Sequence, residues 1–142
     1  MRPIVELLKK RDAVTFSLSP QDSVFAALEQ LAAHNVGAMM VLDQGRLVGV
    51  FSERDYTRKI ALAGKSSKET AVRDIMTANV ITVAPTVRTR DGLALMSQKG
   101  IRHLPVVDGD KVLGMISIRD IMNDIIADHE TTISQLQHYI SS

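Results

Sequence analysis

The 142-residue chain contains no cysteine and no tryptophan, and only three phenylalanines and two tyrosines. The absence of cysteine excludes disulfides, thiol redox chemistry, a cysteine nucleophile and cysteine-based zinc sites. So few aromatic rings make a poor base-stacking platform for nucleic acid. The 17 basic and 16 acidic side chains give a net charge of +1, which provides no overall field to attract nucleic acid or an anionic membrane. An apolar fraction of 45% over this length fits one globular domain.

The sequence also lacks an apolar run close to the roughly 20 residues that a membrane-spanning helix needs, and it has no signal-peptide core. We therefore expect a cytoplasmic protein. The four histidines show no spacing typical of metal ligands, so no metal is expected. No serine has a predicted base beside it, which argues against an enzyme.

An internal repeat is the strongest signal in the chain. A shift of 65 positions aligns the two halves without a gap from Pro20 to Asp55. The identical pairs include Pro20/Pro85, Leu28/Leu93, Val41/Val106, Asp43/Asp108, Gly49/Gly114, Ser52/Ser117, Arg54/Arg119 and Asp55/Asp120. Because two copies are too few for a solenoid, the repeat predicts two half-domains packed around a pseudo-two-fold axis.

Each copy has the pattern β-α-β-β-α. A β-branched run is followed by an amphipathic helix and by two apolar strands that flank a polar turn containing glycine. The predicted strands are 14–18, 38–42 and 47–51 in the first copy, and 80–83, 104–107 and 112–116 in the second. The predicted fold class is α/β, with two such half-domains and a long C-terminal helix.

The predicted boundaries are 5–62 for the first half-domain, 63–71 for a linker, 72–126 for the second half-domain and 127–142 for a C-terminal helical extension. Apolar residues keep helical spacing to the end of the chain and form a wide stripe. This stripe predicts either a subunit contact or a helix folded back on the core.

The shared residues concentrate in the segments 49–55 and 114–120, where a strand passes into a helix. A serine followed three residues later by aspartate is close to a capping box, which is a purely structural device. A cap requires neither arginine nor glycine, yet both copies keep an arginine between them and a glycine three residues before the serine. Arginine and free helix N–H groups suit a phosphate, a glycine permits close backbone approach, and a carboxylate can bind ribose hydroxyls. The motif therefore predicts a nucleotide site.

This duplicated motif, together with the segment 102–107 (Arg-His-Leu-Pro-Val-Val), resembles a pair of CBS domains, a Bateman module, over about residues 5–126. The surrounding sequence is similar to that of the stand-alone two-CBS proteins of bacteria and plant organelles. The resemblance implies a non-catalytic regulatory module that binds an adenosine-containing ligand between the half-domains and signals to a protein partner by conformational change. AMP is the first choice of ligand, with ADP, ATP, NAD(H) and S-adenosylmethionine as unranked alternatives, and no metal is required. A homodimer is also implied.

The resemblance further implies roles for particular residues. Ribose hydroxyls would be bound by Asp55 and Asp120. Phosphate or ribose would be contacted by Ser52, Arg54, Ser117, Arg119, Arg102 and His103. The adenine ring would be contacted, mostly through backbone and apolar groups, by Thr15, Ser17, Val36, Val80, Thr82 and Ile101.

The two copies differ at one point that matters for this assignment. Arg102 and His103 align with Gly37 and Ala38, so the two clefts are expected to differ in phosphate affinity. His103 is equally consistent with a half-buried structural histidine, and Arg102 with a solvated charge. An alternative function is a purely structural dimerising module that binds no ligand.

Overall fold

The computed structural model describes residues 2–9 and 16–141. The elements in chain order are α1 (Ile4–Lys9), β1 (Ser17–Leu18), α2 (Val24–His34), β2 (Ala38–Asp43), β3 (Arg46–Ser52), α3 (Glu53–Tyr56) continued by a π-helical segment (Thr57–Ala61), α4 (Val72–Ile75), α5 (Thr89–Lys99), β4 (His103–Asp108), β5 (Lys111–Ser117) and α6 (Ile118–Ser141). The predicted α/β fold with two repeats and a long C-terminal helix is confirmed.

The two predicted hairpins share one hydrogen-bond register. Strands β2 and β3 pair antiparallel from the pair Ala38 and Ser52 to the turn. Strands β4 and β5 pair antiparallel from the pair His103 and Ser117 to the turn. Each paired residue of the second hairpin lies 65 positions after its counterpart, and both hairpins carry an irregularity at the same step. The repeat seen in the sequence therefore extends to the backbone pairing.

The first strand of each copy differs from its prediction. Strand β1 begins at Ser17, and the predicted residues 14 and 15 lie outside the described residues. Strand β1 pairs in parallel with β2, whereas the predicted strand 80–83 is reduced to a single bridge between Val83 and Val106. Val83 donates to the carbonyl of Pro105 at 3.0 Å and accepts from the amide of Val107 at 2.9 Å. The next bond of a parallel ladder would need the N–H of residue 105, which proline lacks. The prediction for 80–82 is wrong for this reason.

The helices α2 and α5 end where the repeat predicts. Ser23 caps α2 by accepting from the amide of Ala26 at 3.0 Å. At their C-termini, Asn35 (φ 53°) and Gly100 (φ 65°) occupy equivalent positions, and both adopt the left-handed conformation that terminates helices.

Two hydrophobic cores form, and each takes a helix from outside its own β-α-β-β unit. The core around Phe51 includes Val72 of α4, which follows the first copy in sequence. The core around Ile116 includes Ile4 and Leu7 of α1, which precedes the first copy. The N-terminal helix thus packs against the second half-domain and connects the two halves.

Helix α6 is one continuous element of 24 residues. Its first turns pack on the second core, where Asp124 is 5% exposed and lies 3.3 Å from Nε of Arg2. A hydrogen bond to Asp128 and the charge of Asp124 raise the pKa of Arg2. Residues 129–140 are all exposed, so the helix does not fold back on the core. Within the described part of the chain, no helix is both long and apolar enough to cross a membrane.

Candidate functional site

Both Ser-x-Arg-Asp turns form the predicted cap. In the first copy, Ser52 Oγ accepts from the amide of Asp55 at 3.1 Å, and Asp55 Oδ2 accepts from the amide of Ser52 at 3.0 Å. In the second copy, the equivalent bonds between Ser117 and Asp120 measure 3.2 and 2.8 Å. The aspartates are thus held by their own helix starts, whatever else they contact.

The carboxylate of Asp55 is engaged by its own chain on both oxygens. Its Oδ1 lies 3.1 Å from Lys59 Nζ and accepts from Thr77 Oγ1 at 3.2 Å. Lys59 also donates to the carbonyl of Ile75 at 2.8 Å, so one ammonium connects the motif to the end of α4. Asp55 is only 8% exposed. This aspartate anchors the first half-domain.

Asp120 has a different environment, because it lines a cleft of about 810 Å³ between the half-domains. This volume is in the range of small-molecule sites. The second copy contributes polar and charged side chains to one wall, namely Arg102, His103, Ser117, Arg119 and Asp120. The first copy contributes the other wall, which is formed by Phe16, Leu31, Val36, the segment 37–40 and Glu53. Lys9 of α1 lies at the same cleft.

The cleft brings together only some of the residues predicted to bind a ligand. The predicted residues that line it are Val36, Arg102, His103, Ser117, Arg119 and Asp120. Among the described residues, the predicted ones that do not line it are Ser17, Ser52, Arg54, Asp55, Val80, Thr82 and Ile101. Thr15 lies outside the described residues. The Ser, Arg and Asp of the second motif therefore line the cleft, and those of the first motif do not.

Among the lining residues that the sequence reasoning missed, two bear directly on the ligand, namely Phe16 and Glu53. Phe16 stacks on His34 with ring centroids 3.4 Å apart, and it remains 41% exposed. Its position beside the predicted adenine segment was an available signal. Glu53 occupies the x position of the first Ser-x-Arg-Asp turn, where the second copy has Ile118. Nothing in the local sequence pattern indicates that the Glu53 carboxylate lines the cleft that contains the second motif.

The glycine of each motif is explained by packing within the chain. A Cβ atom at Gly49 would lie 2.5 Å from Met76 Sδ and 3.0 Å from the carbonyl oxygen of Thr77. A Cβ atom at Gly114 would lie 2.9 Å from Cδ2 of Leu8 on α1. The sequence predicted a close backbone approach at these glycines, and the groups that approach belong to this chain.

The shared register, the duplicated caps and the cleft between the copies define a tandem α/β repeat module. A family model described as the CBS domain matches residues 5–62 and 72–127. The chain therefore belongs to the CBS-domain family, as the resemblance predicted.

Known proteins similar to this chain include a relative from Arabidopsis thaliana, the mitochondrial CBS domain-containing protein CBSX3. It is 37% identical over 137 residues, which cover 93% of this chain and 66% of that protein. This chain thus spans just under two thirds of that relative.

Solved structures with the same fold include a candidate signal-transduction protein with CBS domains from Burkholderia ambifaria MC40-6. It has a TM-score of 0.85 and 40% identity, and the match covers 89% of this chain and 95% of that chain. The CBS domain pair of protein MJ0100, solved in complex with 5′-methylthioadenosine and S-adenosyl-L-methionine, has a TM-score of 0.78 and 24% identity. That match covers 90% of this chain and 98% of the MJ0100 chain, and at this identity it concerns the fold. The family match and these similarities place the chain among proteins that contain a pair of CBS domains.

Proposed function

We propose that this chain is a non-catalytic regulatory module that binds an adenosine-containing ligand in the cleft between its half-domains. The observation that carries the proposal is that Ser117, Arg119 and Asp120 share one cleft with Arg102 and His103. A carboxylate can bind vicinal ribose hydroxyls, and arginine side chains bind phosphate oxygens. The opposite wall is largely apolar, which suits a base.

The two walls suggest one orientation for the ligand. The ribose lies against Asp120 and Ser117, and the phosphate lies toward Arg102 and Arg119. The base then contacts the wall from the first copy, where Val36 provides an apolar surface. Phe16, which neighbours residues that the resemblance associates with adenine, lines this same cleft.

AMP is the ligand that we favour over ADP, ATP and NAD(H). Glu53 adds a carboxylate to the cleft, which lowers its attraction for a chain of several phosphates. The complex of the MJ0100 pair with two adenosine compounds supports adenosine as the common part of the ligand, since the two proteins share a fold. S-adenosylmethionine is therefore included among the compounds to be tested.

We place a second, weaker site at the first motif. Asp55 can bind ribose only if it exchanges Lys59 and Thr77 for the ligand, and that exchange costs affinity. The other predicted residues outside the cleft belong to this second site, namely Ser17, Ser52, Arg54, Val80, Thr82 and Ile101. One tight ligand per chain is expected.

Signalling follows from the position of the tight site. A ligand that contacts both walls stabilises one arrangement of the half-domains, and it shifts the population only through its different affinity for the two arrangements. A protein partner that recognises one arrangement then responds to the ligand. The exposed apolar residues of α6 favour a homodimer. Dimerisation is compatible with ligand binding but does not require a ligand.

The test is a calorimetric titration of ligand-free protein with AMP, ADP, ATP, NAD and S-adenosylmethionine. Asp120→Asn keeps an oxygen for the cap but loses the charge, so we expect roughly 10- to 100-fold weaker binding, equivalent to one charge-assisted hydrogen bond. The matched control, Asp55→Asn, should change the affinity of the tight site by less than about 3-fold. Absence of heat with all five compounds would contradict the proposal.

A further inference from the structure

The exposed part of α6 carries an apolar stripe that the described residues of the chain, 2–9 and 16–141, leave uncovered. The stripe consists of Met122, Ile126, His129, Ile133, Leu136 and Ile140. Its apolar members are exposed, from 46% at Met122 to 82% at Ile140. Single exposed apolar residues are ordinary, but a continuous row along one helix face indicates a contact surface.

The spacing of the stripe identifies the kind of partner. The steps between its members alternate between four and three residues, which is the heptad repeat of coiled coils. Isoleucine occupies each a position, at residues 126, 133 and 140, and the d positions hold Met122, His129 and Leu136. β-branched residues at a with leucine at d favour two parallel strands. The partner that matches this seam is an identical helix.

In the described part of the chain, no stripe residue belongs to the second core or to the ion pairs with Arg2. Ile121, Asp124 and Asp128 face the second half-domain and Arg2. At 3.6 residues per turn, the centre of the stripe lies about 130° around the helix from the centre of this face. A second helix can therefore pack along the stripe over about 27 Å without displacing the contacts of α6 with the core.

We propose that α6 pairs, in parallel and in register, with α6 of a second copy of this chain to form a two-stranded coiled coil. In this arrangement His129 faces its own counterpart, and one neutral imidazole can donate a hydrogen bond to the other. An antiparallel pairing would place the histidine against an apolar layer and leave it without such a partner. The flanking e and g positions carry a single formal charge, at Glu130, so no pair of like charges opposes the parallel arrangement.

The length of the seam is sufficient because the helix is already nucleated. An isolated helix of three heptads is marginal in water, since its first turn is costly to form. In this chain the first turns of α6 are held by Ile121 in the second core and by the ion pair of Asp124 with Arg2. The proposal rests on the homodimer named above and not on ligand binding.

Cross-linking tests the register directly, because the chain has no native cysteine. Leu136→Cys places a thiol at a d position. Parallel in-register pairing brings this thiol against the same thiol of the second copy. The two Cα atoms then lie within the range of about 4.4–6.8 Å that a disulfide requires. Mild oxidation of dilute protein should give a covalent dimer on a non-reducing gel. Gln135→Cys, on the outer face of the same turn, should give little.

Sedimentation equilibrium tests the contact itself. The wild-type chain should sediment at twice its mass of 15.6 kDa. Ile133→Glu should sediment as a monomer with unchanged circular dichroism, because Ile133 is 54% exposed in the single chain. Ser134→Glu adds the same charge off the seam and should remain dimeric. His129→Leu should tighten the dimer about 10-fold or more, since it removes a polar group from the seam.

The outcomes separate this proposal from the proposed function. A dimer that survives Ile133→Glu and does not cross-link at position 136 overturns the coiled coil and leaves the homodimer in place. A monomeric wild-type chain overturns the coiled coil and the homodimer. The AMP titration of Asp120→Asn decides the ligand proposal in either case, because residue 120 is not part of the seam.

Discussion

The two copies of the Ser-x-Arg-Asp turn have the same cap but different surroundings. Asp55 is bonded to Lys59 and Thr77 and is nearly buried, whereas Asp120 lines the cleft between the half-domains. The residue one helical turn later accounts for much of the difference. Lys59 is close enough to pair with Asp55, while the equivalent Asp124 is acidic and pairs with Arg2 instead. A duplicated motif can thus keep its local structure while a neighbouring residue changes the contacts of its aspartate.

The largest expected effect is on stability. Asp55→Ala leaves Lys59 and Thr77 without their buried acceptor and removes a cap, so we expect a loss of about 3 kcal/mol. Asp120→Ala should cost about 1 kcal/mol, the usual value of a cap. Urea unfolding of the ligand-free proteins measures both values. Equal losses would mean that the two turns are structurally equivalent and would contradict the different roles assigned to Asp55 and Asp120.

A smaller effect is expected at the glycine before the first turn. Gly49→Ala should cost about 2 kcal/mol, because its Cβ atom would overlap Met76 and approach the backbone of Thr77. The control is Gly37→Ala, whose Cβ atom would have Glu53 Oε1, at 3.9 Å, as its nearest neighbour, so its stability should change by about 0.5 kcal/mol or less.

Calorimetry with AMP on Gly49→Ala and the wild-type chain shows whether Gly49 also serves the ligand. We expect unchanged affinity at the tight site for Gly49→Ala, because the atoms that approach this glycine belong to the chain. A parallel loss of affinity and stability would restore the ligand-based explanation of the motif glycines.

The smallest stability effect is expected for Lys59→Met, at about 1 kcal/mol or less, because the ammonium is partly exposed. This change removes the charged one of the two partners of Asp55 Oδ1 and should raise the number of AMP molecules bound per chain from one toward two. Lys65→Met, which removes the same charge from an exposed position, should leave both values unchanged. A stoichiometry that stays at one would show that Lys59 is not what closes the first site.

Most of the local structure could be predicted because its causes lie within a few residues. The capping bonds at Ser52 and Ser117 join atoms three residues apart. The hairpins follow from apolar runs on either side of a polar turn, and the helix ends at Asn35 and Gly100 follow from residues that adopt positive φ. The prediction of a strand at 80–83 was wrong because the pairing of this segment depends on Pro105, which lies far along the chain and has no N–H to donate.

The amino-acid sequence by itself determined the duplication, the order of the elements, both caps and the heptad stripe of α6, because each is a short-range pattern of residue types. Only the tertiary structure decided which turn faces the cleft. That outcome depends on contacts between distant residues: Asp55 with Thr77, Arg2 with Asp124, and Leu8 against Gly114. Such contacts are set by how α1 and α4 pack on the two cores, and no local pattern encodes that packing.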